Sequence, residues 1–167
     1  MSEFRWQLDG ADEARVLSEA PERTRALAFA LAGLLRGGEV LCFTGDLGAG
    51  KTLFVQGVAE ALGVTAKVTS PTFALLNLYQ GRKLALFHFD LYRLEAEEEL
   101  EEVGFYEYTE PEGGVTFIEW SERFPEAMPE ERLDIAIERG AAEDERVITL
   151  RAHGAAAEKI LQELVKI

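Results

Sequence analysis

The chain has 167 residues, 47% of them hydrophobic, which is enough to bury one core and predicts a single domain over 1–167. Its 31 acidic and 17 basic residues give a formal net charge of −14, which disfavours direct binding of DNA or RNA. No apolar run reaches membrane-spanning length, and the single cysteine, Cys42, excludes an intrachain disulfide; both features fit a cytoplasmic protein.

The first half of the chain is predicted to form an edge strand, a helix, a buried strand and a second helix. Alternating apolar residues predict the edge strand over 4–8, and Pro21 is well placed to open a helix over 22–36. The apolar run 40–44 predicts the buried strand. Apolar residues at three- and four-residue spacing then predict a helix over 53–62.

A glycine-rich loop, residues 45–52 with the sequence GDLGAGKT, joins that strand to that helix. It matches the pattern G-x-x-x-x-G-K-[ST], whose glycines let backbone N–H groups converge on an anion at the helix N-terminus. Lys51 should reach the β- and γ-phosphates of a nucleotide, and the Thr52 hydroxyl should ligate Mg²⁺. Strand, loop and helix together predict binding of a nucleoside triphosphate.

The second half of the chain is predicted to add hairpins, one acidic helix and a closing helix. The elements are a strand over 66–69, a hairpin of strands over 73–79 and 83–89, an acidic helix within 95–112, a strand over 115–118, a hairpin of strands over 134–137 and 146–150, and a helix over 155–166. One strand–loop–helix unit together with hairpins predicts a three-layer α/β fold of the phosphate-loop NTPase type. Its mixed sheet would be parallel near the nucleotide, with antiparallel hairpin additions and helices on both faces.

Two predicted strands end in an acid, Asp90 after 84–89 and Glu119 after 115–118. Ligands of open α/β sheets bind at the carboxyl ends of strands, and Mg²⁺ prefers oxygen ligands, so either acid could hold the metal by position. A hydroxyl-bearing segment, Ser70 to Phe73, follows the nucleotide helix. It is either a switch that senses the γ-phosphate or a simple proline turn. For His88 we expect packing within the hairpin.

The segment 95–112 contains nine glutamates and no lysine or arginine. One interpretation is a solvated helix face, with Leu100 and Val103 turned inward. The alternative is a docking surface for a basic partner. Cys42, inside the strand before the loop, is predicted to be a small core residue.

Four segments together resemble a known family. They are GDLGAGKT at 45–52, SPTF at 70–73, HFDLYRL at 88–94 and IEW at 118–120, in this order and with matching gaps. The resemblance is to the TsaE family, the ATPase component of bacterial tRNA threonylcarbamoyladenosine synthesis. It covers roughly residues 20–137.

The resemblance implies roles for individual residues. Nucleotide binding is implied for the loop and its flanks: Thr24, Asp46, Leu47, Gly48, Ala49, Gly50, Lys51, Thr52, Leu53 and Trp120. It also implies that Glu119 binds Mg²⁺ beside Thr52, and that Asp90 acts as a second acid through water or on the attacking water. Lys51, Asp90 and Glu119 would then be the catalytic residues, and Ser70 and Thr72 the switch. For Trp120 core filling stays an alternative, and Arg93 either stabilises phosphoryl charge or pairs with an acid.

The family implies a Mg²⁺-dependent ATPase whose cofactors are ATP and Mg²⁺ and whose turnover drives or resets a complex of two partners, TsaB and TsaD. The tRNA would be contacted mainly through those partners, which agrees with the acidic composition of this chain. The sequence leaves two rivals open. One is a stand-alone small-molecule kinase, and the other is a nucleotide-sensing scaffold that does not hydrolyse ATP.

Overall fold

The computed structural model describes residues 3–45, 48–71 and 74–167. Its strands and helices, in chain order, are β1 (Trp6–Asp9), β2 (Glu13–Ser18), α1 (Pro21–Ala32), β3 (Val40–Thr44), α2 (Lys51–Ala61), β4 (Leu76–Gln80), β5 (Ala85–Asp90), α3 (Glu98–Glu102), β6 (Gly114–Glu119), β7 (Arg132–Arg139), β8 (Arg146–His153) and α4 (Ala155–Leu164). Short 3₁₀ turns lie at Phe105–Tyr108, Ser121–Arg123 and Pro125–Ala127. None of the described helices has the length and apolar composition needed to cross a bilayer.

The eight strands of the described residues form one mixed sheet, in the order β1-β2-β8-β7-β3-β6-β5-β4. Strand β3 is central and pairs in parallel with β6 on one side and β7 on the other, and β5 pairs in parallel with β6. The pairs β1–β2, β2–β8, β7–β8 and β4–β5 are antiparallel. The predicted fold class is confirmed, because the sheet is parallel around the glycine loop and antiparallel toward both edges.

Side chains of the sheet alternate between two apolar layers, as the two-residue period of a strand requires. Along β3, Leu41 and Phe43 face a layer that contains buried residues of α1, α2 and α4. Val40 and Cys42 face the other layer, which includes Leu100 of α3. Helices therefore cover both faces: the three long helices share one face, and α3 and the 3₁₀ turns lie on the other.

An aromatic cluster lies directly beneath the glycine loop. The ring of Phe43, on β3, lies 5.6 Å from the ring of Phe54 on α2 and 5.4 Å from the ring of Phe117 on β6. All three side chains are fully buried. Because the loop joins β3 to α2, this cluster fixes the two elements between which the loop is held.

Two local predictions are wrong. No strand forms over 66–69, where the Gln56 side chain donates a hydrogen bond to the Val68 carbonyl and takes the place of a strand neighbour. Helix α1 ends at Ala32 rather than at residue 36, because i→i+3 hydrogen bonds tighten its last turn. The acidic helix lies within the predicted range 95–112, as the five-residue α3, and β2 was not predicted at all.

Candidate nucleotide-binding site

The two strand-end acids lie side by side. Asp90 ends β5, Glu119 ends β6, and the parallel register pairs these two residues directly. Glu119 is in turn paired with Phe43 of β3, one residue before the strand ends at Thr44. Three neighbouring strands therefore end at one edge of the sheet, where the glycine loop begins.

The backbone of the glycine loop has conformations that favour glycine. Gly45 has a φ of 138°, and a Cβ at this position would collide with the carbonyl oxygen of Ile137 on β7. Gly50 has a φ of 111° and precedes α2, whose first hydrogen bond runs from the Phe54 N–H to the Gly50 carbonyl over 3.0 Å. The N-terminus of an eleven-residue helix thus faces the space beside the loop, which is favourable for an anion. The predicted nucleotide-binding residues Asp46 and Leu47 lie outside the described residues.

A cavity of about 400 Å³ opens between the loop and the acidic strand ends. Its lining brings together most of the predicted site: Gly48, Gly50, Lys51, Thr52, Leu53, Ser70, Asp90, Tyr92, Glu119 and Trp120. Residues from four separate parts of the chain therefore meet at one place. The cavity has the volume of a small-molecule binding site.

Lys51 lies between the loop and an aromatic ring. Its Nζ donates a 2.5 Å hydrogen bond to the Gly45 carbonyl and lies 3.6 Å from the centre of the Trp120 ring. Trp120 has a φ of 61°, which is uncommon for a residue with a bulky side chain, and this backbone turn directs its ring over Lys51. The ring of Tyr92 packs against the ring of Trp120 in a tilted arrangement, with the ring centres 4.9 Å apart. Trp120 also packs against the second apolar layer, so it contributes to the core and to the cavity.

Asp90 is buried, and hydrogen bonds hold both of its carboxylate oxygens. The Tyr92 N–H donates to Oδ1 over 2.9 Å, and the Ser70 hydroxyl donates to Oδ2 over 3.0 Å. The predicted switch residue Ser70 thus contacts the predicted second acid. The other predicted switch residue, Thr72, lies outside the described residues.

The carboxylate of Glu119 is hydrogen-bonded to a buried histidine. Oε2 of Glu119 lies 2.5 Å from Nε2 of His88, and both side chains are almost completely buried. His88 is buried on β5, within the β4–β5 hairpin, as packing there requires, and it also makes a hydrogen bond that the sequence reasoning did not predict. The signal was its position two residues before Asp90, since the two-residue period of a strand puts both side chains on one face.

The donor set fits a magnesium ion. No group of three or more histidine, cysteine or acidic side chains forms a closed metal cage among the described residues. Mg²⁺ retains several waters and is usually bound by one or two protein oxygens together with phosphate oxygens. The Thr52 hydroxyl and the Glu119 carboxylate, in the wall of one cavity with Asp90 beside them, match that requirement.

Two predicted nucleotide-binding residues are not in the cavity lining. Thr24 is a buried residue of the first turn of α1, where its hydroxyl is 2.7 Å from the hydroxyl of Ser18. This geometry gives no support to the predicted contact between Thr24 and a nucleotide. Ala49 is buried as well, and its carbonyl accepts a hydrogen bond from Arg146.

Two arginines at the end of the β7–β8 hairpin were missed by the sequence reasoning. The Arg146 guanidinium donates to the Ala49 carbonyl through Nε over 2.8 Å. Arg139 lies over Gly48, where a Cβ would come within 2.9 Å of Nη2. Neither residue belongs to a recognisable motif, so only the folded chain reveals that this hairpin supports the loop.

A helix N-terminus that presents loop N–H groups, a lysine and strand-end acids to one cavity is the arrangement of phosphate-loop nucleotide-binding proteins. Comparison with known proteins agrees with this class. The model of one family, "Threonylcarbamoyl adenosine biosynthesis protein TsaE", matches residues 18–148. The chain belongs to the TsaE family.

Individual relatives cover most of the chain. The protein named tRNA threonylcarbamoyladenosine biosynthesis protein TsaE from Bacillus subtilis (strain 168) is 45% identical over 144 residues, which are 86% of this chain and 89% of that protein. The protein of the same name from Treponema pallidum (strain Nichols) is 40% identical over 136 residues, 81% of this chain and 98% of that protein. The crystal structure of Bacillus subtilis YdiB superposes with a TM-score of 0.75 at 36% identity, over 97% of both chains.

Proposed function

We propose that this chain is a Mg²⁺-dependent ATPase subunit of the machinery that forms threonylcarbamoyladenosine on tRNA. The observation that carries the proposal is the meeting of Lys51, Thr52, Asp90 and Glu119 in the wall of one cavity at the N-terminus of α2. Relatives that match most of the chain are named for this tRNA modification.

The charges of the cavity suit a nucleoside triphosphate with its metal. The loop N–H groups and the positive end of α2 would receive the phosphates, with Lys51 moving from the Gly45 carbonyl to the β- and γ-phosphate oxygens. Thr52 and Glu119 would hold Mg²⁺, which neutralises the charge that develops on the phosphates. Asp90, fixed by Ser70 and Tyr92, would orient the attacking water.

The base of the nucleotide is proposed to be adenine. The guanine-reading motif Asn-Lys-x-Asp does not occur in the sequence, whose single asparagine, Asn77, is followed by Leu78. The exposed edge of Trp120, in the wall of the cavity, would contact the nucleotide. The absence of the guanine-reading motif is the feature that favours ATP over GTP.

The proposed partners are TsaB and TsaD, with tRNA bound mainly through them. A net charge of −14 opposes direct contact with a polyanion, so a division of labour in which partners hold the tRNA suits this chain. We further propose that the chain is one domain, since a single sheet runs through all eight strands, and that it acts in the cytoplasm.

The experiment is to measure Mg²⁺-dependent ATP hydrolysis by the purified protein, alone and with TsaB and TsaD from the same organism. We expect slow turnover that rises with the partners and is lost in Lys51→Ala, because that variant lacks the cation for the β- and γ-phosphates. Lys83→Ala, which removes an exposed lysine at the β4–β5 turn, is the control and should behave as wild type.

Each alternative has its own outcome. ATP binding without hydrolysis under either condition would indicate a nucleotide-sensing scaffold. Transfer of phosphate to a small molecule from a metabolite panel would indicate a kinase. Wild-type turnover in Lys51→Ala would show that the cavity is not the site of hydrolysis.

A further inference from the structure

We propose that His88 is a positioning residue, which holds the Glu119 carboxylate in the orientation that binds Mg²⁺. The proposal rests on the proposed function, because it concerns the metal site of the nucleotide cavity. His88 does not line that cavity and is completely buried one layer below it, so it acts only through Glu119.

The hydrogen bond between these side chains has a defined direction. A carboxylate that binds Mg²⁺ only accepts hydrogen bonds, so in the proposed metal-binding state Nε2 of His88 would donate its hydrogen to Oε2 of Glu119. Nδ1 is buried and has no partner among the described residues. A ring with its hydrogen on Nε2 has only a lone pair at Nδ1. Among the described residues, the hydrogen bond to Glu119 is therefore the one polar contact of the ring.

The bond leaves the second carboxylate oxygen, Oε1, as the one available to a metal ion. Lys51 lines the same cavity. A direct ion pair between Lys51 and Glu119 would neutralise the positive charge that the phosphates require and the negative charge that the metal requires. The structure shows no such ion pair between these two described side chains. Glu119 is held from below by His88, and Lys51 is held by the Gly45 carbonyl and the Trp120 ring.

The sheet makes this arrangement rigid. His88 and Asp90 are on one face of β5, and the register pairs His88 with Phe117 and Asp90 with Glu119 on β6. The histidine thus approaches Glu119 from a neighbouring, hydrogen-bonded strand rather than from a loop. When a residue that hydrogen-bonds to a metal ligand in this way is substituted, metal affinity or activity typically falls 10–100-fold.

Three substitutions separate the hydrogen bond from packing. His88→Gln places an amide nitrogen three bonds from Cβ, like Nε2, and retains the donor. His88→Asn places it only two bonds from Cβ, like Nδ1, and His88→Phe keeps the ring but has no donor. His153→Asn is the matched control, because His153 also bonds a carboxylate, Asp134 at 2.8 Å, but lies outside the cavity.

The measurement is ADP affinity by calorimetry with and without Mg²⁺, together with the melting temperature of each variant. We expect His88→Asn and His88→Phe to lose about tenfold in the Mg²⁺-dependent part of the affinity, and His88→Gln to retain most of it. The affinity without Mg²⁺ should not change. In a Glu119→Ala background, His88→Asn should have no further effect on the Mg²⁺ dependence, because its only route of action has been removed.

The results that would overturn the proposal differ from those that concern ATP hydrolysis. Wild-type Mg²⁺ dependence in both His88→Asn and His88→Phe would overturn it, as would an equal loss in His88→Gln. A further loss caused by His88→Asn in the Glu119→Ala background would also overturn it. If the protein does not hydrolyse ATP but shows the expected binding pattern, the ATPase proposal fails and the role of His88 stands.

Discussion

The contact between the β7–β8 hairpin and the glycine loop can be tested by Arg146→Ala. Arg146 donates through Nε to the Ala49 carbonyl, and its Nη1 donates to the carbonyls of Glu143 and Glu145, each over 2.8 Å. The bonds to Glu143 and Glu145 lie within the hairpin turn, so the bond to Ala49 is the one that connects the hairpin to the glycine loop. A hydrogen bond from a charged donor is worth about 1.5–3 kcal/mol, and we take the lower end because Arg146 is partly exposed.

When Arg146→Ala removes about 1.5 kcal/mol of the free energy that keeps the loop ordered, the affinity for ATP should fall roughly tenfold. Arg151→Ala is the control, since it removes the same side chain from the same strand but breaks only an exposed ion pair with Glu13, worth at most about 1 kcal/mol. Calorimetric titration with ATP should therefore separate the two variants. If Arg146→Ala binds ATP as tightly as Arg151→Ala, the hairpin does not order the loop and the reasoning fails.

Two further predictions concern the core. Burial raises the pKa of the Cys42 thiol, and the nearby charge of Asp134 raises it further. The thiol of the native protein should therefore resist a thiol reagent at pH 8, and it should react once the protein is unfolded. Above the ordinary thiol pKa of about 8.5 the unfolded chain releases a proton that the folded chain keeps, so stability should fall as pH rises. Phe54→Ala should lower the free energy of unfolding, measured with urea, by about 3–5 kcal/mol. The control Leu78→Ala, at an exposed position, should lower it by less than about 0.5 kcal/mol. Equal losses in the two variants would contradict the role of the aromatic cluster.

Much of the site could be predicted from the sequence because its parts are local. The loop pattern lies within eight residues, and the apolar runs before Asp90 and Glu119 identify buried parallel strands whose carboxyl ends meet at one sheet edge. The strand β2 was missed because its inward residues include Ala14 and Ser18, whose small side chains give a weak apolar alternation.

Other features depend on contacts between distant parts of the chain. Arg146 and Ala49 are 97 residues apart, and no local pattern indicates that the start of β8 comes to lie against the glycine loop. His88 and Glu119 are 31 residues apart, and their hydrogen bond requires the β5–β6 register, which the sequence does not specify.

The position of β3 in the sheet also determines when the loop becomes ordered during synthesis. Its neighbours are β6 and β7, which leave the ribosome about 70 and 90 residues after it, and Arg146 follows later still. Until those strands insert, the loop lacks both Glu119 and the Ile137 carbonyl against which Gly45 packs. A nascent chain that ends before β7 should therefore be unable to use ATP to stabilise its own folding.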